Sequence, residues 1–222
     1  MVRRILRRLF LAAVILAAMP VVLTLLYTVV TPVSTRMAWR TVTLQGVTRT
    51  PVALNQVARA VPATLIASED ARFCAHRGVD WRELLAVIDD EDGPSRGAST
   101  LPMQVARNLF LWQGDTGPTA IVRKALEIPL AMLIDVVWTK RRMMEIYLNI
   151  AEWGPGGEFG IEAGAQRAFR KSASELGARE AALLVSILPN PIRRSASAPG
   201  TGVRRKAAII SRRAASADTS CL

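Results

Sequence analysis

The chain has 222 residues, of which 50% are hydrophobic, and a formal net charge of +11. That charge alone would suggest a nucleic-acid partner, but 11 of the 29 basic residues lie at the two ends, 4 among the first eight residues and 7 after residue 192. The remaining 18 basic residues are balanced by 18 acidic ones, so we expect no nucleic acid as a partner. Two cysteines and one histidine match no metal-ligand spacing, so we predict no metal site, no disulfide framework, and a small packed side chain at Cys74.

Residues 1–8 are predicted to be a cytoplasmic stub and residues 9–30 a transmembrane anchor. No charge occurs from Leu9 to Thr35, a run long enough to cross a hydrocarbon core of roughly 30 Å. Four arginines precede this run, so the positive-inside rule places the N-terminus in the cytoplasm and the rest of the chain outside. A cleaved signal peptide is the alternative, but the apolar run is too long for one and Ala17-Ala18-Met19 is a poor cleavage site.

The rest of the chain is predicted to be mainly α-helical. Residues 31–54 are expected to form a juxtamembrane connector, in which residues 40–47 pair as a short strand. Residues 55–195 are expected to form a catalytic domain, and residues 196–222 a basic C-terminal tail that is either solvated or meets anionic lipid headgroups. Helical periodicity begins at residues 61–66 and is clearest over residues 81–88, 99–111, 120–137, 139–152, 161–169 and 178–188.

The segment from Ser68 to Asp80 brings an acidic pair, an aromatic residue and the single histidine together. Helical spacing would place Leu65, Ile66 and Phe73 on the same face as Glu69. Apolar surroundings destabilise a carboxylate anion, which favours its taking a proton from a substrate hydroxyl. Glu69 is therefore the candidate general base.

A second polar segment runs from Gly97 to Leu111 and has the features of a helix start. Ser99 or Thr100 suits the cap and Pro102 the first turn, and the free amides of such an end favour an anion such as a phosphate. Any well-capped helix has the same pattern. Gln104, Arg107 and Asn108 add polar groups further along this helix.

A third segment carries charges at helical spacing. Glu127 follows Arg123 by four residues and Lys124 by three, so its carboxylate should stay ionised, in contrast to Glu69. Two carboxylates in contrasting environments suggest divided acid-base and electrostatic roles. Taken alone, an ordinary ion pair on a helix surface explains the pattern better.

These segments, in this order from about residue 66 to residue 193, resemble the family 51 glycosyltransferase domain. This domain is the peptidoglycan polymerase of class A penicillin-binding proteins and of stand-alone monofunctional transglycosylases. The resemblance implies an all-α, lysozyme-like fold. It rests on Glu69-Asp70-x-x-Phe73-x-x-His76-x-Gly78-x-Asp80, Gly97-Ala98-Ser99-Thr100 with Gln104, Arg107-Asn108-Leu109-Phe110, Arg123-Lys124-x-x-Glu127, Lys140 through Tyr147-Leu148-Asn149, and Phe159-Gly160-x-Glu162.

The resemblance implies polymerisation of lipid II, a disaccharide-pentapeptide on undecaprenyl diphosphate. Glu69 would deprotonate the 4-hydroxyl of the acceptor, which attacks C1 of the donor MurNAc with inversion and expels the lipid diphosphate. Glu127 would be the second catalytic carboxylate. No cofactor is certain, and a divalent cation, magnesium or manganese, is an optional aid. The implied substrate-binding residues are Asp70, Phe73, His76, Ser99, Thr100, Gln104, Arg107, Asn108, Arg123, Lys124, Lys140 and Asn149, among which Arg107, Arg123, Lys124 and Lys140 would face the diphosphate.

Departures from the family pattern and competing functions complete the expectations. Pro102 and Met103 stand where the family usually has polar side chains, and the acidic segment 89–94 is short; we still expect an active enzyme. No Ser-x-x-Lys, Ser-Asp-Asn or Lys-Thr-Gly segment occurs, so a separate transpeptidase and divisome proteins are expected partners beside lipid II, the nascent glycan and the membrane. The alternatives are a lysozyme-like lytic enzyme and a catalytically weak protein that binds lipid II or the divisome.

Overall fold

The computed structural model describes residues 2–89, 98–113 and 117–222, and these residues are mainly helical. The two short strands pair in parallel, with Thr48 opposite Glu158. The helices are α1 (Val2–Leu26), α2 (Thr35–Val42), α3 (Ala60–Glu69), α4 (Trp81–Ile88), α5 (Leu101–Phe110), α6 (Pro118–Val137), α7 (Lys140–Ile150), α8 (Ile161–Phe169), α9 (Ala178–Ile187) and α10 (Thr201–Ala214), the strands are β1 (Thr48–Arg49) and β2 (Glu158–Phe159), and 3₁₀ turns occur at Leu54–Gln56 and Ala173–Glu175.

Helix α1 is apolar and long enough to cross a membrane. It has 25 residues, a mean hydropathy of 2.8 over its most apolar window, and only 6% of that window is buried. Its last turn is attached to the helical domain by side chains of α7 and of the residues between α6 and α7. The indole Nε1 of Trp138 donates to the carbonyl of Thr24 over 2.8 Å, and the guanidinium of Arg142 donates to the carbonyl of Tyr27. The domain therefore begins directly at the end of the apolar helix.

The core lies between α3, α5, α7 and α9. Leu65, Val105, Ile146 and Leu184, one from each helix, are fully buried there. The six longer helical stretches predicted from periodicity are confirmed, each to within two residues at either end. Their start signals also hold, since the hydroxyl of Thr100 accepts from the amide of Met103 at the start of α5. The mainly α fold class is confirmed.

The connector after α1 contains a helix that the sequence prediction missed. Ser34 caps α2, accepting from the amide of Met37, and Met37 is buried in the core. Residues 40–42 belong to this helix, so the predicted strand over residues 40–47 is wrong. The strand β1 comes shortly after it, at Thr48–Arg49. The cap at Ser34 and the burial of Met37 favour a helix more than the weak strand propensity of the segment favours a strand.

The C-terminal segment is part of the fold. Helix α10 packs against α3 and α9, with Ala207 and Ile210 buried, and Cys221 forms a disulfide with Cys74. The predicted tail over residues 196–222 is therefore wrong, because it contains a packed helix. Cys74 does pack against the core, as predicted, but as one half of a disulfide that the sequence did not predict. The cysteines are 147 residues apart in sequence, and their Cα atoms come within 5.5 Å only after α10 has packed. Two apolar residues three apart, Ala207 and Ile210, gave only a weak signal of burial inside a basic helix.

Candidate active site

Glu69 is the last residue of α3 and lies in a polar cleft of about 570 Å³. Its carboxylate has three polar neighbours. The hydroxyl of Ser68 donates to Oε1 over 2.8 Å, Nε2 of Gln104 donates to Oε2 over 3.3 Å, and the ammonium of Lys206 lies 3.8 Å from Oε1. The cleft is lined by Arg36, Ser68, Glu69, Ser99, Gln104, Arg107, Asn108, Gln113, Tyr147, Ala151, Glu152, Leu188, Pro189, Pro191 and Lys206.

The surroundings of Glu69 differ from the apolar ones predicted. Leu65, Ile66 and Phe73 are fully buried in the core, whereas the Glu69 side chain is 16% exposed and contacts polar groups of the cleft. The prediction of an apolar environment is wrong because α3 ends at Glu69. Helical spacing therefore does not extend to Phe73. Glu69 is held as an accessible, hydrogen-bonded carboxylate.

Tyr147 continues the hydrogen-bond chain behind Glu69. Its hydroxyl donates to Oε1 of Gln104 over 3.0 Å, and the amide of Gln104 in turn donates to Glu69. Burial, and next the negative charge of Glu69, raise the pKa of Tyr147 far above its ordinary value. Tyr147 is therefore a neutral donor that fixes the amide orientation of Gln104. It was part of a recognised motif, but the sequence did not indicate this position in the site.

Glu127 lies on α6 and is fully buried beneath three cations. Its carboxylate is 2.9 Å from a guanidinium nitrogen of Arg123, 2.9 Å from the ammonium of Lys124 and 4.0 Å from Arg107. An ordinary ion pair on a helix surface is thereby contradicted, because the Glu127 side chain is 0% exposed. The ammonium of Lys124 also donates to the hydroxyl of Ser99 over 2.5 Å.

The cation cluster reaches the cleft through α5 and the residues just before it. Ser99 and Arg107 touch the cluster and also line the cleft, and the Arg107 side chain is 28% exposed. Asn108 lies beside Arg107 in the lining, and its side-chain oxygen accepts from Gln113 over 3.0 Å. One cleft therefore joins the Glu69 carboxylate to a set of cations held by a buried carboxylate.

Several residues predicted to bind substrate instead attach the segment between α3 and α4, residues 70–80, to the start of α5. We call this segment the lip. Oδ1 of Asp70 lies 2.9 Å from Nε2 of His76, and Oδ2 accepts from the amide of Leu101 over 2.8 Å. The hydroxyl of Thr100 donates to the carbonyl of Gly78 over 2.7 Å. These side chains are buried. The amide of Leu101, which was predicted to be free for an anion, already donates to Asp70.

Gly78 shows why this lip needs a glycine. Its φ is +73°, and a Cβ there would lie 2.7 Å from the carbonyl oxygen of Ala131.

Lys140, Phe73 and Asn149 also lie outside the cleft lining. The ammonium of Lys140 is 2.7 Å from Asp135 and 4.8 Å from the centroid of the buried Phe73 ring. The side chain of Asn149 exchanges hydrogen bonds with the backbone of Val52, which attaches the connector to α7. The structure gives these side chains contacts that hold elements together.

The cleft also contains residues that the sequence reasoning did not select. Arg36 of α2 lies 2.6 Å from Glu152, which follows α7. Burial raises the pKa of Glu152, and the charges of Arg36 and Arg40 oppose that rise. Lys206 comes from α10, a segment predicted to be a tail. Arg36 and Lys206 belong to helices that were themselves missed, so no local motif indicated them. The cleft residues with polar side-chain groups that were not selected are Arg36, Ser68, Gln113, Tyr147, Glu152 and Lys206.

In the described part of the chain no set of protein side chains would hold a divalent cation by itself, so the cation that the resemblance allowed would need oxygen ligands from the substrate diphosphate. Within residues 2–89, 98–113 and 117–222, no three His, Cys, Asp or Glu side chains come together as metal ligands. The Glu127 carboxylate is already neutralised by cations, which a divalent ion would have to displace. Gly97 and most of the acidic segment 89–94, at residues 90–94, lie outside the described residues.

The fold and the site define a helical domain that follows a membrane-length helix, with one accessible carboxylate in a cleft and a second, buried carboxylate bound to the cations beside that cleft. Residues 36–215 match the family model for transglycosylases, and the chain belongs to this family, as the sequence motifs predicted.

Three relatives are similar over nearly their whole length, and each is named a biosynthetic peptidoglycan transglycosylase. The protein of Nitrobacter winogradskyi is 53% identical over 97% of this chain and 95% of its own length. That of Rhodopseudomonas palustris strain HaA2 is 54% identical, with coverage of 97% and 95%. That of Agrobacterium fabrum is 48% identical, with coverage of 96% and 93%.

Proposed function

We propose that this protein is a peptidoglycan glycosyltransferase that polymerises lipid II into glycan strands and releases undecaprenyl diphosphate. The observation that carries the proposal is the cleft that joins the Glu69 carboxylate to the cations around Glu127. Membership of the transglycosylase family and the names of its relatives agree with this reaction.

Glu69 is the general base in this proposal. Ser68 and Gln104 fix its carboxylate, and the cleft leaves it accessible. It takes the proton of the acceptor 4-hydroxyl while that oxygen bonds to C1 of the donor MurNAc. The bond from C1 to the diphosphate oxygen breaks on the opposite face, which gives inversion, and its electron pair leaves with the lipid diphosphate. General-base catalysis of this kind contributes about 10²- to 10⁴-fold to a rate.

The cations around Glu127 stabilise the departing diphosphate. Preorganised cations aimed at a developing anion lower the barrier, because they need no reorganisation during the reaction. Arg107 reaches the cleft directly, while Arg123 and Lys124 are held by the buried carboxylate. We assign Glu127 the task of fixing these cations. That Glu127 is also a second catalytic carboxylate, as the family resemblance implies, stays a prediction.

The cation cluster favours the polymerase over the lytic alternative. Cleaving a glycan releases an uncharged sugar hydroxyl, so a hydrolase would have no use for two or three cations around a buried carboxylate. A diphosphate leaving group carries negative charge that increases as the bond breaks, and it matches such a cluster.

The catalytic domain is proposed to lie on the periplasmic side of the inner membrane. The four arginines in the first turns of α1, before its apolar run, support this orientation, and so does the bond between Cys74 and Cys221, because disulfides persist in oxidising compartments. A reporter fused after Leu222 should be active only outside the cytoplasm, and cytoplasmic activity would contradict the orientation. The nascent glycan, a separate transpeptidase and divisome proteins stay predicted partners.

The decisive experiment is polymerisation of labelled lipid II by the detergent-solubilised full-length protein. Wild type should give glycan chains, and Glu69→Gln should lose at least about 10²-fold in rate, because the base is absent. The matched control is Glu180→Gln, which makes the same change on α9, at a partly exposed carboxylate that pairs with Lys171. Polymerisation at the wild-type rate by Glu69→Gln would overturn the assignment of the base.

A further inference from the structure

A second groove runs along α10 beside the cleft. It has a volume of about 340 Å³. Ser68 and Lys206 line both the groove and the cleft that holds Glu69, so the two spaces adjoin at these side chains. The groove is lined by Ser68, Gly202, Arg205, Lys206, Ile209, Ile210 and Arg213.

The groove carries positive charge that no described side chain neutralises. Arg205, Ile209 and Arg213 are four residues apart and share one face of α10, so the stripe is about 12 Å long at ~1.5 Å per residue. Both arginines are exposed, and within the described part of the chain neither pairs with a carboxylate. The ammonium of Lys206 pairs with Glu69. An anion entering from the cleft would therefore meet unpaired guanidinium groups.

We infer that this groove is an anion subsite for the pentapeptide of the substrate, with Arg205 and Arg213 binding its carboxylates. The inference rests on the proposed function, in which a disaccharide-pentapeptide is bound beside Glu69. A pentapeptide has at least a C-terminal carboxylate, and five extended residues span about 17 Å at ~3.4 Å each, enough to cover the groove from a sugar in the cleft. Ile209, between the arginines, offers apolar surface to the peptide side chains.

Anionic lipid headgroups are the competing occupant, and the packing of the helices favours the peptide. The apolar helix α1 packs against α6, whereas α10 packs against α3 and α9. The groove shares Ser68 and Lys206 with the cleft that holds Glu69, so in the proposed reaction the sugar that carries the peptide is bound next to it. The diphosphate of the donor is accounted for by the separate cations around Glu127.

The test measures initial rates of the full-length protein in neutral detergent at varied lipid II concentration. Two substrates are compared, lipid II with its native pentapeptide and lipid II whose peptide carboxylates are converted to amides. The groove variant is Arg205→Gln with Arg213→Gln. The control is Arg204→Gln with Arg212→Gln, which removes the same charge from the same helix at exposed positions outside the groove.

With the native substrate the groove variant should raise KM about five- to tenfold and change kcat by less than about twofold, as expected for two exposed charge contacts. Amidation should raise the wild-type KM by the same factor, and the groove variant should lose nothing further on the amidated substrate. The control should match wild type on both substrates.

Three results would overturn the inference: an unchanged KM in the groove variant, an equal KM rise on both substrates, or an effect seen only in vesicles that contain anionic lipid. The last result would assign the groove to headgroups. Failure of wild type to polymerise native lipid II would refute the proposed function itself. Wild-type polymer with no effect of amidation would refute the peptide subsite alone.

Discussion

Breaking the disulfide between Cys74 and Cys221 should destabilise the domain without removing its active site. The bond joins a residue five positions after Glu69 to the segment after α10, across 147 residues of sequence. A cross-link of that span restricts the unfolded chain, and the chain-entropy relation gives about 5 kcal/mol as an upper value at 25 °C. Measured losses for native disulfides are typically about 2–4 kcal/mol, which we expect here.

The assay is thermal unfolding of the full-length protein in detergent, followed by circular dichroism. For a chain of this length, about 2–4 kcal/mol corresponds to a fall in Tm of roughly 4–16 °C. Cys74→Ser with Cys221→Ser should show this fall. Dithiothreitol should produce the same fall in wild type and none in the double variant, which serves as the control for effects of the reductant itself.

Activity should respond less than stability to the loss of this bond. Ala207 and Ile210 keep α10 packed against the core, so Lys206 should stay near Glu69 at 25 °C and the polymerisation rate should stay within about twofold of wild type. The reasoning would be refuted by wild-type protein that yields two free thiols under non-reducing conditions. It would equally be refuted by reduced protein, with both thiols verified by labelling, whose Tm is unchanged.

Three further substitutions test the site. Glu127→Gln removes the buried carboxylate that fixes three partly exposed cations and should cost about 1–3 kcal/mol in urea unfolding, together with most of the polymerisation rate. Tyr147→Phe removes the donor to Gln104 and should cost about 1 kcal/mol of stability. It should also lower kcat and leave KM nearly unchanged. A rise in KM alone would contradict the role of Tyr147 in orienting Gln104 toward Glu69. Lys140→Met should destabilise the fold by leaving Asp135 unpaired, while its folded fraction keeps the wild-type KM; a raised KM in folded protein would restore the predicted substrate contact.

The sequence was most informative where structure is local. Apolar periodicity, together with the cap predicted at Ser99 or Thr100, located the long helices of the domain, because these signals act within one or two turns. The motif containing Glu69 also identified a residue of the cleft, and the spacing of Arg123 and Lys124 to Glu127 identified the cation cluster that contacts the cleft through Arg107.

The parts that escaped prediction depend on distant contacts. Pairing of Cys74 with Cys221 and the approach of Lys206 to Glu69 both require α10 to be docked, and α10 carries only a narrow apolar stripe. The surroundings of Glu69 were predicted wrongly for a similar reason. Periodicity gave the residues before it, but not the end of α3 that turns its carboxylate toward the groups of other helices.

The family motifs combine two kinds of residue that a sequence cannot separate. Glu69 and Arg107 line the cleft, whereas Asp70 and His76 are buried next to them and hold the lip to the start of α5. Loss of activity on replacing Asp70 would resemble the loss of a substrate contact. It would instead follow from leaving the amide of Leu101 and the imidazole unpaired, at about 1–3 kcal/mol for each buried group. Activity measured alone therefore cannot divide these motifs into binding and supporting residues, and stability measured on the same variants can.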